Sequence, residues 1–279
     1  MKRLLFVCFL AAVLIFTACS KDKQEPGFYK LKVTSGSLQE LVGEDTARVV
    51  HLTLEGTLNE KDFQFIRSLS ALEVLDISEV AVKAIPDGTY LRMPLLEKVV
   101  LPETLEIIGK SVFADCKQLR EINFPESLKA IGEFAFITTD LREVVLPSSL
   151  VKIGDYAIDG SPDLTRLVLP EQYQDTLWGI GGSRPELKSL VIPPGTEFLR
   201  WSMGYEDGMA EETSPTVSFD TLRVMAVEPP AASIYLTVKQ QKEMVLVVPQ
   251  GSKKAYAESD KEGWGNLNEL SNQKNDLNK

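Results

Sequence analysis

The chain has 279 residues, of which 44% are hydrophobic, and carries 30 basic and 40 acidic residues for a formal net charge of −10. A surface with this excess of negative charge disfavours nucleic acid and anionic membrane as direct ligands. The sequence contains 1 histidine, which excludes a metal site built from several histidines.

The first residues are typical of an export signal. Lys2 and Arg3 precede an apolar run over residues 4–16, which is too short for an ordinary membrane span. Small residues then lead to Cys19, as in a bacterial lipobox, where the cysteine becomes the acylated first residue of the mature protein. We therefore expect a lipoprotein signal peptide over residues 1–18 and lipidation of Cys19. The alternative is an ordinary cleaved signal with a coincidental cysteine.

Residues 19–27 predict a lipidated tether, because the segment after Cys19 is polar and contains proline and glycine. Stable anchoring needs more than one acyl chain, which a triacylated cysteine provides. Cleavage would remove two basic residues and no acidic ones, leaving 28 basic against 40 acidic residues and a net charge of −12. The expected location is the outer membrane or cell surface, with membrane contact through the lipid anchor only.

Residues 28–48 predict an N-terminal cap. An unstacked end of a repeat array needs a cover, and this segment supplies apolar side chains for one. These residues do not keep the spacing of the repeats that follow: Leu31, Val33, Leu38 and Leu41.

A short motif recurs down the middle of the chain. An aliphatic residue opens it, two more follow in alternation, and a proline closes it, with a period of about 23 residues that is typical of a solenoid. The same register without proline begins at Val49, Leu72 and Leu222, and the longer step from Leu187 to Leu222 indicates an insertion of about twelve residues. The copies with proline are Leu96–Pro102, Leu119–Pro125, Leu141–Pro147, Leu164–Pro170 and Leu187–Pro193.

One such unit cannot fold alone. Its large aliphatic side chains contribute roughly 1.5 to 3 kcal/mol each when buried, whereas ordering the backbone costs about 1 to 2 kcal/mol for every residue. Stacking lets the motifs pair as a parallel sheet around one core, and the proline ends each strand. We therefore predict a single solenoid domain over residues 49–230, followed by a C-terminal cap and tail over residues 231–279.

The return path between motifs repeats as well. An isoleucine and a glycine are followed, four residues after the glycine, by a large apolar residue. We interpret this pattern as a bend and a short helical turn that places one large side chain in the core. The copies are Ile108-Gly109 with Phe113, Ile131-Gly132 with Phe136, and Ile153-Gly154 with Ile158.

On these residues the chain resembles the BspA-like leucine-rich repeats, surface proteins common in anaerobic Gram-negative bacteria and some parasites. Gly109–Gly132 looks like one whole unit, and Leu246–Tyr256 followed by Gly263-Trp264 is similar to the closing segment of such proteins. The resemblance covers roughly residues 49–270. It implies an α/β leucine-rich-repeat solenoid, with a curved parallel sheet and short helical or irregular return segments, that contacts proteins or matrix.

The outward positions of the motif are the candidate partner-binding residues. The fourth and sixth positions point into the core, so the third and fifth face outward along the concave side. Exposed apolar residues beside charges of both signs are typical of a recognition face. The alternative is that valine occurs at these positions only because of its high β-propensity, whichever way its side chain points. The third positions are His51, Val74, Lys98, Glu121, Glu143, Arg166, Ser189 and Val224. The fifth positions are Thr53, Asp76, Val100, Asn123, Val145, Val168, Val191 and Ala226.

From these columns we predict partner contacts at Lys98, Val100, Glu121, Asn123, Glu143, Val145, Arg166, Val168 and Val191. The insertion, residues 196–221, adds Trp201 and Tyr205, because long loops are often functional and aromatic side chains can anchor protein contacts or stack on sugars. The alternative is that they cover the core where the repeats become irregular. The same two interpretations apply to Trp178.

No catalytic set emerges from the residues. His51 is predicted on an outer face, two or three repeats from Cys116, which is too far to share a proton. Cys116 would be the last free cysteine after loss of Cys8 and lipidation of Cys19, and its position indicates a buried packing residue. Without a calcium-loop or phosphate-cradling motif, we expect no cofactor or metal. Paired carboxylates that hydrolyse glycosides are the remaining enzymatic hypothesis.

The sequence thus predicts a non-enzymatic cell-envelope lipoprotein, monomeric, that binds a protein or extracellular-matrix ligand through its concave face. The alternative is a surface glycan-binding lipoprotein that assists polysaccharide uptake, with Trp201, Tyr205 and Trp178 stacking on sugars. Neither hypothesis includes a nucleic-acid partner.

Overall fold

The computed structural model of the chain describes residues 27–44, 46–171, 173, 177–178, 189–194, 198–200, 221–233 and 245–259. The following predicted features lie wholly or mostly outside the described residues: the signal peptide 1–18, the tether with Cys19, the insertion 196–221 with Trp201 and Tyr205, and Trp264.

Short strands are the main secondary structure of the described chain. Their bounds, in chain order, are β1 (Phe28–Val33), β2 (His51–Gly56), β3 (Val74–Val80), β4 (Ala84–Ile85), β5 (Lys98–Val100), β6 (Ile107–Ile108), β7 (Glu121–Ile122), β8 (Ala130–Ile131), β9 (Glu143–Val145), β10 (Lys152–Ile153), β11 (Arg166–Val168), β12 (Leu177–Trp178), β13 (Ser189–Ile192), β14 (Phe198–Arg200), β15 (Thr221–Val224), β16 (Ala231–Ser233) and β17 (Val245–Val247). The described helices lie near the ends: α1 (Leu38–Val42), a 3-10 helix (Thr46–Arg48), α2 (Glu60–Ser68) and α3 (Lys253–Ala257).

The strands pair in parallel and fall into front and back sheets. The front strands form two sheets of the order β1-β2-β3-β5-β7 and β9-β11-β13-β15-β17, and the back strands form β4-β6-β8-β10 and β12-β14-β16. Neighbouring front strands are one repeat apart, since Lys98 pairs with Glu121 and Arg166 pairs with Ser189. The predicted solenoid is confirmed, and we call each of its repeats a rung.

The first and fourth positions of the motif line one continuous core. Leu119, Leu141 and Leu164 occupy the first position in three consecutive rungs, and each is 0% exposed. The fourth positions Val144 and Leu167 are buried to the same extent. Each rung therefore covers the aliphatic side chains of its neighbours, which is how a repeat array gains stability.

The predicted N-terminal cap begins with a rung. Phe28 of β1 pairs with His51 in the register of the repeats, contrary to the expectation that this segment lacks the spacing. The motif is hard to recognise there because a proline takes the first position. Of the predicted cover residues, Leu38 is buried, whereas Leu41 is 48% exposed and covers nothing.

At the other end, strand β17 and helix α3 lie in the segment predicted as the C-terminal cap and tail. Tyr256 of α3 is buried, and its hydroxyl donates a hydrogen bond to the carbonyl oxygen of Ala226 at 2.9 Å. This bond joins the closing helix to the loop after β15.

The register of β15 differs from the predicted one. Ser189 pairs with Thr221, so Leu222 occupies the fourth position of the motif and not the first. Val224 and Ala226, predicted to face outward, are therefore buried at 0% and 6% exposure. The step from Ser189 to Thr221 is still longer than the step from Arg166 to Ser189, so an insertion is present but is shorter than predicted. The prediction fails because the apolar residues after Leu222 satisfy the motif in either register.

Each return segment between β4 and β11 is a short back strand followed by a turn without helix, so the predicted short helical turn is not found there. Ser111, Phe134 and Tyr156, one in each rung, have left-handed φ angles of 53°, 56° and 55°, which interrupt a helix. Alternate turn amides donate to the next rung, as in the 2.8 Å bond from the Phe113 N–H to the Ala135 carbonyl oxygen, and others donate within their own turn, as from the Cys116 N–H to the Phe113 carbonyl oxygen at 3.2 Å. Bonds between rungs and within the turn together satisfy its backbone.

The large side chains predicted for the return path lie in the core and stack from rung to rung. Phe113 and Phe136 are 0% exposed, and Ile158 is 2% exposed. Tyr90 extends the column, with ring centroids 5.4 Å apart between Tyr90 and Phe113 and 5.3 Å apart between Phe113 and Phe136. Phe63 of α2 closes it by packing edge-on against Tyr90 at 6.3 Å.

We expect Tyr90→Phe to stabilise the protein. The Tyr90 hydroxyl is buried without a hydrogen-bond partner among the described residues, and burial raises the pKa of this tyrosine above its ordinary value. Because an unsatisfied buried hydroxyl costs about 1 to 3 kcal/mol, its removal should raise the free energy of unfolding, measured by urea denaturation, by about 1 kcal/mol. The matched control Tyr256→Phe loses a made hydrogen bond and should be destabilised. A less stable Tyr90→Phe variant would contradict this account.

The pairing of the front strands is interrupted between β7 and β9. We call this interruption the seam. Among the described residues, one backbone hydrogen bond joins these two front segments: the Asp140 N–H donates to the Leu119 carbonyl oxygen at 3.1 Å. An ion pair between Arg120 and Asp140 at 2.7 Å also crosses the step. The back strands continue without interruption, since Ala130 pairs with Lys152. The seam therefore affects the front of the solenoid alone.

Candidate functional site

The outward side chains of the front strands form one surface, which we call the front face. In β5, β9 and β11 the middle residue is buried and the residues on either side of it face outward, as the predicted alternation requires. The predicted contact residues Lys98, Glu121, Glu143, Val145 and Arg166 are exposed. Four others are half-buried: Val100, Asn123, Val168 and Val191. These nine residues, with Phe28, Lys30, His51, Thr53, Val74, Asp76 and Arg223, define the front face.

The charges in the third-position column are paired between rungs. Lys98 Nζ lies 2.8 Å from Glu121 Oε2, and Arg166 Nη1 lies 3.7 Å from Glu143 Oε2. All four side chains are about half to two-thirds exposed, so the pairs contribute at most about 1 kcal/mol to stability. Their consequence is positional: the column presents charges in the fixed order positive, negative, negative, positive.

The fifth-position column carries a contiguous apolar stripe. Val145, Val168 and Val191 are aligned in register across β9, β11 and β13. Val145 is 48% exposed, and the other two are half-buried. Val100 lies on the far side of the seam, so three of the four predicted valines form one patch. We call these three residues the valine stripe.

Asn123 separates Val100 from the valine stripe and is engaged with the fold. Its Oδ1 accepts a hydrogen bond from the Leu101 N–H at 2.6 Å, and its Nδ2 donates to the Leu101 carbonyl oxygen at 3.0 Å. These bonds continue the pairing of β5 beyond the end of β7. The side-chain amide predicted to contact a partner is therefore committed to the backbone of the previous rung.

The N-terminal end of the front face, at Phe28, was not predicted from the sequence. Phe28 is 41% exposed, and its ring centroid lies 4.0 Å from that of His51. The signal that could have revealed it is the interval from Phe28 to His51, which equals the interval from His51 to Val74. The only histidine of the sequence is thus part of an aromatic contact on the front face.

The described residues offer no arrangement for nucleophilic or metal chemistry. Cys116 is fully buried, its Sγ donates to the Tyr90 carbonyl oxygen at 3.1 Å, and burial raises the pKa of its thiol to about 11. Such a thiol stays protonated at neutral pH, as expected of a packing residue. Within the same described ranges, no three His, Cys, Asp or Glu residues are grouped to hold a metal ion.

A shallow groove of about 680 Å³ crosses the back strands. Its floor includes Gly109, Gly132 and Gly154, which lack side chains where successive rungs approach each other closely. Lys110 and Glu133 on its border form an ion pair with each other, which raises the pKa of the lysine. The groove therefore follows from how the rungs stack. In the part of the chain that the structure describes, no helix has the length and apolarity to span a bilayer.

A comparison with protein families matches residues 83–200 to the BspA type leucine rich repeat region, in six copies. No curated protein matches the chain. Among solved structures, the chain is similar to a leucine-rich repeat protein from Bacteroides ovatus, with 21% identity, 69% of this chain and 55% of that chain covered, and a TM-score of 0.47. It is also similar to a leucine-rich repeat protein of T. pallidum, with 23% identity, coverage of 55% and 73%, and a TM-score of 0.40.

A third similar structure is that of the pneumococcal vaccine antigen PcpA, with 20% identity, 64% of this chain and 47% of that chain covered, and a TM-score of 0.39. This chain thus spans about half the length of the first and third of these proteins. The family match covers the rungs from β4 to β14 and confirms the resemblance predicted from the motif. Residues 83–200 of this chain match the family model of the BspA type leucine rich repeat region.

Proposed function

We propose that this chain is a non-enzymatic interaction module that binds a protein or extracellular-matrix partner through its front face. The observation that carries the proposal is the outward-facing valine stripe, with Val145 exposed and Val168 and Val191 half-buried, beside a column of paired charges. A leucine-rich repeat region is consistent with a surface interaction module.

The open side of the front sheets supports this role. Parallel sheets are ordinarily covered on both faces, yet among the described residues no helix or strand packs over the outward side chains of β9 and β11. A partner that covered the valines would gain about 25 cal/mol for each Å² of apolar surface removed from water. The charged column beside the valines would set orientation and specificity more than affinity.

The buried thiol supports the non-enzymatic part of the proposal. Cys116 is protonated at neutral pH and has no exposed surface, so it is not available to a substrate. His51 lies on the front face beside Phe28, several rungs away along the solenoid. Neither residue has the neighbours that nucleophilic catalysis requires.

For location, we propose that acylation of Cys19 anchors the module at the outer membrane or cell surface. The support is the sequence alone: a basic start, an apolar run and small residues before the cysteine. Metabolic labelling with a fatty-acid analogue should mark the wild-type chain and not Cys19→Ser, and protease treatment of intact cells should degrade it. Labelling that persists in Cys19→Ser would rule out this anchor.

The front-face assignment predicts that Val145→Lys and Val168→Lys, made together, abolish partner binding. Two charged side chains would then have to be desolvated in the contact, which costs several kcal/mol and weakens binding by about a hundredfold or more. Binding of the purified protein to a panel of extracellular-matrix proteins and to host cells measures the effect. The matched control is Val151→Lys, because Val151 is an equally apolar residue, 64% exposed, outside the front face. Equal binding by the double variant and the wild type would contradict the proposal.

A further inference from the structure

The N-terminal end of the solenoid leaves one edge of a front sheet open. Strand β1 is the first strand in the order β1-β2-β3-β5-β7, and among the described residues no strand pairs with its other side. An unpaired edge carries a row of backbone N–H and C=O groups, which is a template for pairing with another strand. Because β1 has 6 residues, its edge is long enough to hold an added strand.

The register of β1 identifies the backbone groups at this edge. The carbonyl oxygens of Gly27 and Val33 accept hydrogen bonds from amides of the second rung, at 2.9 Å and 3.1 Å, so these two residues direct their backbone groups toward β2. Successive residues of a strand direct their backbone groups to opposite sides. The N–H and C=O groups of Phe28, Lys30 and Lys32 therefore point away from β2, to the open side.

The core side of β1 is less completely covered than that of β2. Tyr29 and Leu31 pair in register with Leu52 and Leu54 of β2. The two residues of β2 are 0% exposed, whereas Tyr29 and Leu31 are only partly buried although they pack against the same core. Aliphatic side chains of one further strand would cover this apolar surface, and its removal from water favours association.

The outward side chains of β1 determine which segment fits. Lys30 and Lys32 are exposed, within a chain whose net charge is −10. Lys30 lies opposite Thr53, and Lys32 Nζ lies 3.7 Å from Glu55 Oε1 while its side chain stays 81% exposed. Acidic residues on an added strand would pair with both lysines, whereas a second copy of β1 would oppose lysine to lysine. Strand β17 of another copy, Val245–Val247, supplies no acidic residue.

We propose that β1 receives an extended acidic segment of a partner protein as an added strand. The backbone of that segment pairs with the open groups of Phe28, Lys30 and Lys32, its aliphatic residues cover Tyr29 and Leu31, and its acidic residues lie beside the lysines. In this mode of recognition, main-chain hydrogen bonds give affinity and alternate side chains give specificity. The site lies at the end of the sheet and not on the valine stripe, so the inference does not rest on the proposed function.

Binding of synthetic peptides to the purified full-length protein tests the inference. The probe is a peptide in which valine and glutamate alternate, so that one face is aliphatic and the other is acidic. Its matched control has the same composition, with all valines before all glutamates. Fluorescence anisotropy should give the control a Kd at least about tenfold higher than that of the probe, because only the probe has the period of a strand. Equal Kd values, or no binding of the probe, would overturn the inference.

Amide hydrogen exchange, followed by NMR, locates the bound probe. In the free protein the amides of Tyr29 and Leu31 should be protected by their bonds to β2, and those of Lys30 and Lys32 should exchange fast. The two lysine amides should gain protection when the probe is added. Binding of the probe without this gain would place it elsewhere on the protein and contradict the inference.

Two substitutions at Lys30 separate strand addition from a general attraction between charges. Lys30→Pro removes an outward N–H and no bond to β2, a change that an edge strand tolerates, and should raise the Kd of the probe at least about tenfold. Lys30→Glu should weaken binding of the probe and strengthen binding of a peptide in which valine and lysine alternate. Lys117→Glu, which removes an exposed lysine from a turn, is the control and should leave both Kd values unchanged. Unchanged binding by both Lys30 variants would also overturn the inference.

The outcomes separate this inference from the proposed function. Val145→Lys, on the valine stripe, should leave the Kd of the probe unchanged. A probe that responds to Val145→Lys and not to the Lys30 variants binds the valine stripe, and then the added strand is wrong while the proposed function stands. If the probe responds as predicted while the double valine variant still binds its matrix or host-cell partner, the added strand stands and the proposed function fails.

Discussion

Gly132→Ala should destabilise the middle of the solenoid more than any change to an exposed residue. A Cβ added at Gly132 would lie 2.5 Å from the Lys110 backbone nitrogen and 2.6 Å from the Gly109 carbonyl carbon, both in the previous rung. Backbone atoms of a stacked rung cannot move aside as a flexible side chain can. We expect a loss of about 3 kcal/mol or more in the free energy of unfolding, measured by urea denaturation followed by circular dichroism.

The matched control is Gly88→Ser, a glycine substitution in the same kind of rung. A Cβ at Gly88 meets nothing within 4 Å, and although its φ is +63°, the equivalent Ser111 of the next rung adopts a φ of 53°. The cost of a left-handed residue is about 1 to 2 kcal/mol, so the control should lose less than Gly132→Ala. Equal stability of the Gly132→Ala variant and the wild type would show that the rungs do not approach as closely as described.

Asp62→Ala should destabilise the N-terminal end of the repeat array. The Asp62 carboxylate is 1% exposed and accepts backbone hydrogen bonds from Gly36 at 2.6 Å, Leu38 at 3.1 Å and Asn59 at 2.9 Å. It thereby joins the start of α1 to the start of α2. The Leu38 N–H is buried and the other two are partly buried. Because a buried N–H left unsatisfied costs about 1 to 3 kcal/mol and a partly buried one costs less, we expect a loss of about 3 kcal/mol in the stability of this end.

Hydrogen exchange locates the effect of Asp62→Ala. Because rungs contact only their neighbours, the amides of β1 and α1 should lose protection while those of the middle rungs keep theirs. Glu60→Ala is the control, since Glu60 is exposed in the same first turn of α2 and bonds Gln64 at its surface. It should change stability by less than about 1 kcal/mol. Unchanged protection of β1 in Asp62→Ala would contradict this role.

The core of this protein can be predicted from periodicity because burial depends on spacing alone. Aliphatic residues that recur once in every repeat, such as Leu141 and Leu164, can leave water only if the units stack. The same reasoning places Phe113 and Phe136 in the core. It fails at Leu222, where a second register satisfies the pattern and only strand pairing decides between them.

The return path could not be predicted, because its conformation is set by bonds between rungs. Very short strands such as Ile107–Ile108 cannot carry a propensity signal, and alternate turn amides, such as those of Ser111, Phe113 and Asp115, bond to the next rung. One signal was available: a Ser or Thr lies shortly after most motif prolines. The hydroxyls of Thr104, Ser127 and Ser149 donate to carbonyl oxygens of the previous rung.

The candidate site could be predicted in part. Opposite charges one repeat apart, as in Lys98 with Glu121, indicate ion pairs between rungs, which the structure contains. The role of Asn123 could not be foreseen, because it depends on β7 ending at Ile122.

Thiol accessibility tests most directly whether alternate residues of the front strands face solvent on one docking surface. Single cysteines are introduced at Val144, Val145, Leu167 and Val168 in a background without native cysteines, and their rates of reaction with a thiol reagent are measured in the folded protein. We predict that the cysteines at 145 and 168 react readily, whereas those at 144 and 167 react only after unfolding. Equal rates at all four positions, or the reverse pattern, would contradict the account.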